Sequence, residues 1–141
     1  MVRAAWLFLA SIACWSPSAF SQPISNLDAG TYTVLVKDGA PTAAYRLSSA
    51  GNQWVVEGRI GAEPWRNISC GAGCEYRVST HAEAESYLPV AERQNLTIAC
   101  IQNIAQAFCR YNLKAEPSRF GYVVVVLTTS PATPISVFRT Q

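Results

Sequence analysis

The sequence predicts a mainly β domain: a β-sandwich or small β-barrel of about eight short antiparallel strands, with one short helix near residues 80–88 and disulfide staples. Three observations lead there. Apolar and polar residues alternate with period two through much of the chain after residue 30, the mark of strands with one buried face. Turn residues recur roughly every 8–12 positions, the spacing of a sandwich or barrel. Of five cysteines, setting Cys14 aside with a leader leaves Cys70, Cys74, Cys100 and Cys109, an even set in a short exported chain, which reads as two bridges.

The elements follow in order. Residues 31–37 open the series with Tyr32, Val34 and Val36 on one face, and Asp38-Gly39 turns the chain. Residues 43–49 follow, with Tyr45 and Leu47 inward, and Ala50-Gly51-Asn52 turns into 53–60. There Trp54, Val56, Gly58 and Ile60 share the core face, while Val55, Glu57 and Arg59 face away. Gly61-Ala62-Glu63-Pro64 leads into strand 65–70, and Gly71-Ala72-Gly73 into strand 74–79. Thr80-His81-Ala82-Glu83 forms a capping box, in which hydroxyl and carboxylate satisfy free N–H groups of the first turn. Pro89 stops that helix. Two turns are too few to stand alone, so the helix must pack on the sheet.

Residues 96–111 read two ways. Ile98, Ile101, Ile104, Ala105 and Phe108 recur at helical spacing. In a helix, however, Cys100 and Cys109 lie about 900° and roughly 13.5 Å apart along the axis, whereas a disulfide needs Cα atoms about 4.4–6.8 Å apart. A helix would therefore force crossed pairs with Cys70 and Cys74. Two strands around Gln102-Asn103 let the sulfurs meet. Cys70 and Cys74 likewise flank a Gly-Ala-Gly hairpin mouth. The expected bridges are Cys70–Cys74 and Cys100–Cys109, with strands in 96–111. The valine run of 122–127 predicts a strand buried on both faces, and 135–140 the last strand.

The first 21 residues read as a signal peptide. Arg3 gives a positive start, residues 4–14 an apolar stretch, and Ala19-Phe20-Ser21 small residues before Gln22. Cleavage after Ser21 leaves residues 22–141 as one domain, exported to the periplasm. Lipidation at Cys14 is the alternative, disfavoured by Ser11 where such signals carry a large residue. No apolar run reaches the roughly 18 residues of a membrane-spanning helix. The net charge of +2 and 14% charged residues are too mild for a nucleic-acid binder. Zinc is disfavoured because the cysteine spacings miss C-x2-C and the chain has one His.

Catalytic chemistry is missing from the pattern, so the chain reads as a non-enzyme with no cofactor and no metal. His81 has no nucleophile or orienting partner near it in sequence, and Glu83 and Glu85 diverge on a helix. Asp28 and Asp38 read as turn formers. Asn67-Ile68-Ser69 and Asn95-Leu96-Thr97 match glycosylation acceptors, taken as chance behind a bacterial-looking leader. Nine of eleven cations are Arg, beside four Trp and six Tyr, the residues enriched at interface centres. The local clusters are Trp65-Arg66, Tyr76-Arg77 and Arg110-Tyr111. The expected function is binding and blocking another protein, as an inhibitor or immunity protein against a cell-wall-targeting hydrolase or toxin. The expected contact rim is Trp65, Arg66, Gly71, Ala72, Gly73, His81 and Tyr87. A small-molecule or lipid carrier with a barrel cavity and an envelope structural or assembly component are the alternatives.

Overall fold

The computed structural model describes residues 21–34, 42–68 and 74–141. Among these residues nine antiparallel strands form one sheet: β1 (Gly30–Val34), β2 (Ala43–Ala50), β3 (Gln53–Ile60), β4 (Arg66–Asn67), β5 (Arg77–Val78), β6 (Leu96–Gln102), β7 (Gln106–Leu113), β8 (Phe120–Val126) and β9 (Thr133–Arg139). Their order is β4-β3-β2-β1-β9-β8-β7-β6-β5. Two meanders are thus joined where the first and last strands pair, Tyr32 opposite Arg139 and Val34 opposite Val137. Ile68, beyond β4, and Tyr76, before β5, pack against the same core although they flank opposite ends of the sheet. The sheet therefore curls round that core as a half-barrel.

Strand parity explains two cores. On the concave face Tyr32, Leu47, Val56, Ile101, Phe108, Tyr122, Val124 and Val137 interdigitate, with Tyr32 edge-on to Phe108 and Tyr122 at 4.9 and 4.8 Å. On the convex face Ile98, Cys100, Ala107, Cys109 and Val125 meet Ala84 and Leu88. Ala84 belongs to helix α1 (His81–Ser86), and Leu88 follows it. The valines of β8 are buried on both sides for this reason. Thr80 caps α1 with Glu83 in the expected reciprocal box, and the helix packs on β6 as its shortness requires.

The ambiguous segment resolves as a hairpin. Cys100 stands directly opposite Cys109, and the two are bridged with Cα atoms 4.1 Å apart, just below the expected disulfide range and near the close spacing of a non-hydrogen-bonded antiparallel pair. Asn103 Oδ1 accepts from the N–H groups of Ala105 and Gln106, at 2.9 Å each, which closes the turn. Cys74 is also disulfide-bonded; the expected pairing with Cys70 lies outside the described residues. So do the leader as far as residue 20, Asp38-Gly39, and Gly71, Ala72 and Gly73.

Three expectations are corrected. Ile60 ends β3 at 52% exposure, because no layer of the core reaches the strand terminus. Among the described residues, the strands expected at 65–70 and 74–79 shrink to two residues each. β4 pairs with Glu57 and Gly58, and the Ile68 N–H adds one more bond, to the Val56 carbonyl at 3.2 Å. The Ile68 side chain covers Gly58, where a Cβ would stand 2.8 Å from Ile68 Cγ2. Asp28 does close a turn, accepting from the Ser25 N–H at 2.8 Å at the start of the 3-10 turn Asn26–Asp28. The reading as a turn former alone falls short, because its side chain is 1% exposed and reaches across the sheet to Arg110.

Candidate functional site

Two surfaces gather chemistry-bearing side chains. The first is on the convex face of β2 and β3. Arg46 faces Glu57 across the ladder, and parity puts Arg59 on the same side. Arg46 Nη2 reaches Glu57 Oε2 at 2.6 Å. Trp65, half-buried just before β4, lies against this row, with the guanidinium carbons of Arg46 and Arg59 at 4.7 and 4.5 Å from its ring centroid. Cations at that distance are held by the ring quadrupole. Glu57 offsets one of the two arginines. Arg59 has no carboxylate partner among the described residues, and Arg66 is exposed next to Trp65.

Of the other expected rim residues, His81 and Tyr87 sit elsewhere in the sheet order, and Gly71, Ala72 and Gly73 lie outside the described residues. Trp65 and Arg66 border the β4 edge, whereas His81 and Tyr87 belong to the α1 region beside the β5 edge. His81 is exposed and lies 3.2 Å from Glu85. Tyr87 turns inward and donates to Gln102 Oε1 at 2.8 Å, which also accepts from Ser79 Oγ at 2.6 Å. Glu83 binds Arg77 through both oxygens, at 2.9 and 2.6 Å. With the Thr80 backbone N–H, this holds the Glu83 carboxyl down to about 2. The two helix carboxylates therefore serve different partners, as their divergence predicts.

The second surface is at one open end of the half-barrel. Register lays residues across the concave face in rungs. Ile101, Phe108 and Val124 form a packed rung, and Ala99, Arg110, Tyr122 and Val137 the next. Thr97, Asn112 and Phe120 form the terminal one. Arg110 thus projects inward from the apolar phase of β7, at 11% side-chain exposure. A buried cation there requires an anion, and the segment preceding β1 supplies it. Asp28 accepts from Arg110 Nη1 at 2.7 and 2.9 Å, from Tyr122 OH at 3.0 Å and from the Ser25 N–H at 2.8 Å. Tyr32 OH donates to the Asp28 main-chain oxygen. Burial pushes the Tyr32 and Tyr122 hydroxyls above their ordinary range, so both remain protonated donors. Arg139 clasps the same segment by donating to the carbonyls of Leu27 and Ala29 at 2.8 and 2.7 Å.

In the sequence Arg110 reads only as a local cluster with Tyr111, and its ion pair with Asp28 is not apparent there. Strand parity carried the signal: Phe108 inward puts Arg110 inward. Among the described residues no cluster of His, Cys, Asp and Glu has metal-binding geometry. No helix there is long and apolar enough to cross a membrane. No family model matches the chain, and neither a curated protein nor a solved structure matches it.

Proposed function

We propose that this chain is an exported protein that binds and blocks another protein, with Trp65 and its two arginines as the contact surface. The observation that carries the reading is the stacking of Arg46 and Arg59 on the half-buried Trp65 ring. Trp and Arg concentrate binding energy at interface centres. Arginines already ordered on a ring lose less freedom when a partner arrives. Arg59 and Arg66 give the patch a positive excess, so it complements an acidic protein surface. Within the expected class of wall-directed hydrolases and toxins, a glycosidase cleft has that character, because its chemistry rests on a pair of carboxylates. The filling of the concave core by Tyr32, Phe108, Leu47, Ile101 and Val56 favours this reading over a carrier with a central cavity.

The test is stoichiometric inhibition of wall-cleaving glycosidases, with affinity and stoichiometry from calorimetry. A 1:1 complex is expected in which Trp65→Ala loses about 2 kcal/mol or more of binding. Arg59→Glu, at an exposed position, should weaken the same complex without changing the melting temperature. Failure of every such hydrolase to be inhibited, or undiminished binding by both variants, refutes the proposal.

A further inference from the structure

The open end of the half-barrel holds a cleft of about 610 Å3, within the size range of small-molecule sites, which favour barrel mouths. We propose that this cleft is a binding site for a small anionic amphiphile: one carboxylate-type head on a short apolar or aromatic body. The site is independent of the Trp65 surface, since its residues come from β6 to β9 and the segment before β1.

Charge, apolar surface and unused hydrogen-bonding capacity coincide there. Arg110, Lys114 and Arg139 line the cleft against one carboxylate, Asp28. Asp28 is already bound by Arg110 through both oxygens. Arg139 is held by main-chain carbonyls and its Nε faces the main-chain oxygen of Gln141 at 3.5 Å. Lys114 makes one bond, to the Arg93 carbonyl at 2.9 Å, which leaves two of its three ammonium donors. The side chains therefore present a positive excess, and a ligand head of negative charge complements it.

The walls supply the place for an apolar body. Phe120 lines the cleft at 56% exposure and Leu27 at 81%, with Leu113 and Pro117 beside them. Phe120 stands edge-on to Tyr122 at 5.8 Å, so its free face is fixed by the sheet rather than swinging in solvent. Thr97, Asn112 and Phe120 are the terminal rung of the concave face, the first layer that the packed core does not fill. Arg110 Nε, on a residue lining this cleft, is buried without a hydrogen-bond partner among the described residues. A donor is left unmatched where the cleft lies.

The test uses the purified protein with dodecanoate and 2-naphthoate as separate probes, measured by calorimetry and by displacement of anilinonaphthalene sulfonate fluorescence. Saturable 1:1 binding of one or both is expected. An acyl-chain site prefers dodecanoate, and an aryl-acid site prefers naphthoate. Lys114→Glu and Phe120→Ser, both at exposed positions, should each lower affinity about tenfold, a change of roughly 1.4 kcal/mol. Their melting temperatures should stay at the parent value. Trp65→Ala should bind both probes normally, which separates failure here from failure of the protein-binding reading. No saturable binding, probe affinity untouched by both cleft variants, or binding only to anionic lipid vesicles would overturn the proposal.

Discussion

Replacing Asp28 with Ala removes one side chain that Arg110, Tyr122 and the Ser25 N–H all use. The cost follows from burial. Asp28 is 1% exposed and the Arg110 side chain 11%, so the variant leaves a guanidinium with little access to water and no counter-charge. Breaking a buried pair from one side costs about 3–5 kcal/mol. That is a large part of the roughly 5–15 kcal/mol that holds a domain of this size together. The melting temperature should fall by roughly 10–20 °C, interpolating between the sensitivities of smaller and larger domains. Urea unfolding of Asp28→Ala, Arg110→Met and the double variant closes a thermodynamic cycle. The double variant should recover part of the loss, because an apolar pair of similar size can replace a buried ion pair with little penalty. A single-variant loss below about 1 kcal/mol, or a double variant that merely adds the two losses, would show that solvent reaches Arg110 and that the barrel-end network does not anchor residues 22–29.

Replacing both Cys100 and Cys109 with Ala should cost at most about 3 kcal/mol, the chain-entropy figure for a closed loop of roughly ten residues. Since both sulfurs are buried, the bridge should resist reductant until the chain unfolds; urea curves with and without dithiothreitol check both points. Glu83 is held down to about 2 by Arg77 and then by the Thr80 N–H, below its ordinary value of 4.5. Its support for the start of α1 should therefore be complete above about pH 4.5 and fade as pH falls toward 2. NMR titration of the Glu83 carboxyl should place its midpoint there, and Glu83→Gln should remove the acid-side change in the α1 amide shifts; a midpoint near 4.5 would refute the Arg77 clasp.

Local pattern carried most of the fold and little of the barrel-end site. Period-two alternation placed Tyr32, Leu47 and Val56 inward correctly, because every residue of a strand reports its own face. The capping box at Thr80 and the hairpin in 96–111 were legible for the same reason: cap and bridge join residues close in sequence. Asp28 reads as a turn former, which it is toward Ser25, but its ion pair was not legible because Arg110 lies 82 positions away. Nothing in the chain near Asp28 marks it as buried, and a turn former is the reading that local chemistry allows. Ile60 obeyed the alternation yet lies at the surface, since parity gives a side and not the depth of the core beneath it. Trp65 was chosen for its neighbour Arg66. The structure pairs it with Arg46 and Arg59 instead, across two strands, a placement that requires the β2–β3 register.

The pairing of β1 with β9 determines how the two surfaces relate. The Trp65 surface is built from β2, β3 and the approach to β4, all on one side of that junction in the sheet order. The cleft lies over the junction itself: Arg139 comes from β9, while Leu27 and Asp28 come from the segment that leads into β1. A ligand seated there touches both sides of a ladder only three register pairs long. It should therefore stabilise the union of the two meanders, by mass action on the folded state. A protein held at Trp65 meets side chains of one meander and leaves that union unchanged. Coupling between the sites would need an element with two arrangements that both occupants bias. The continuous β3-β2-β1-β9-β8 ladder offers one arrangement. Occupancy of the cleft should accordingly protect the amides of β1 and β9 from exchange while leaving affinity at Trp65 as it was.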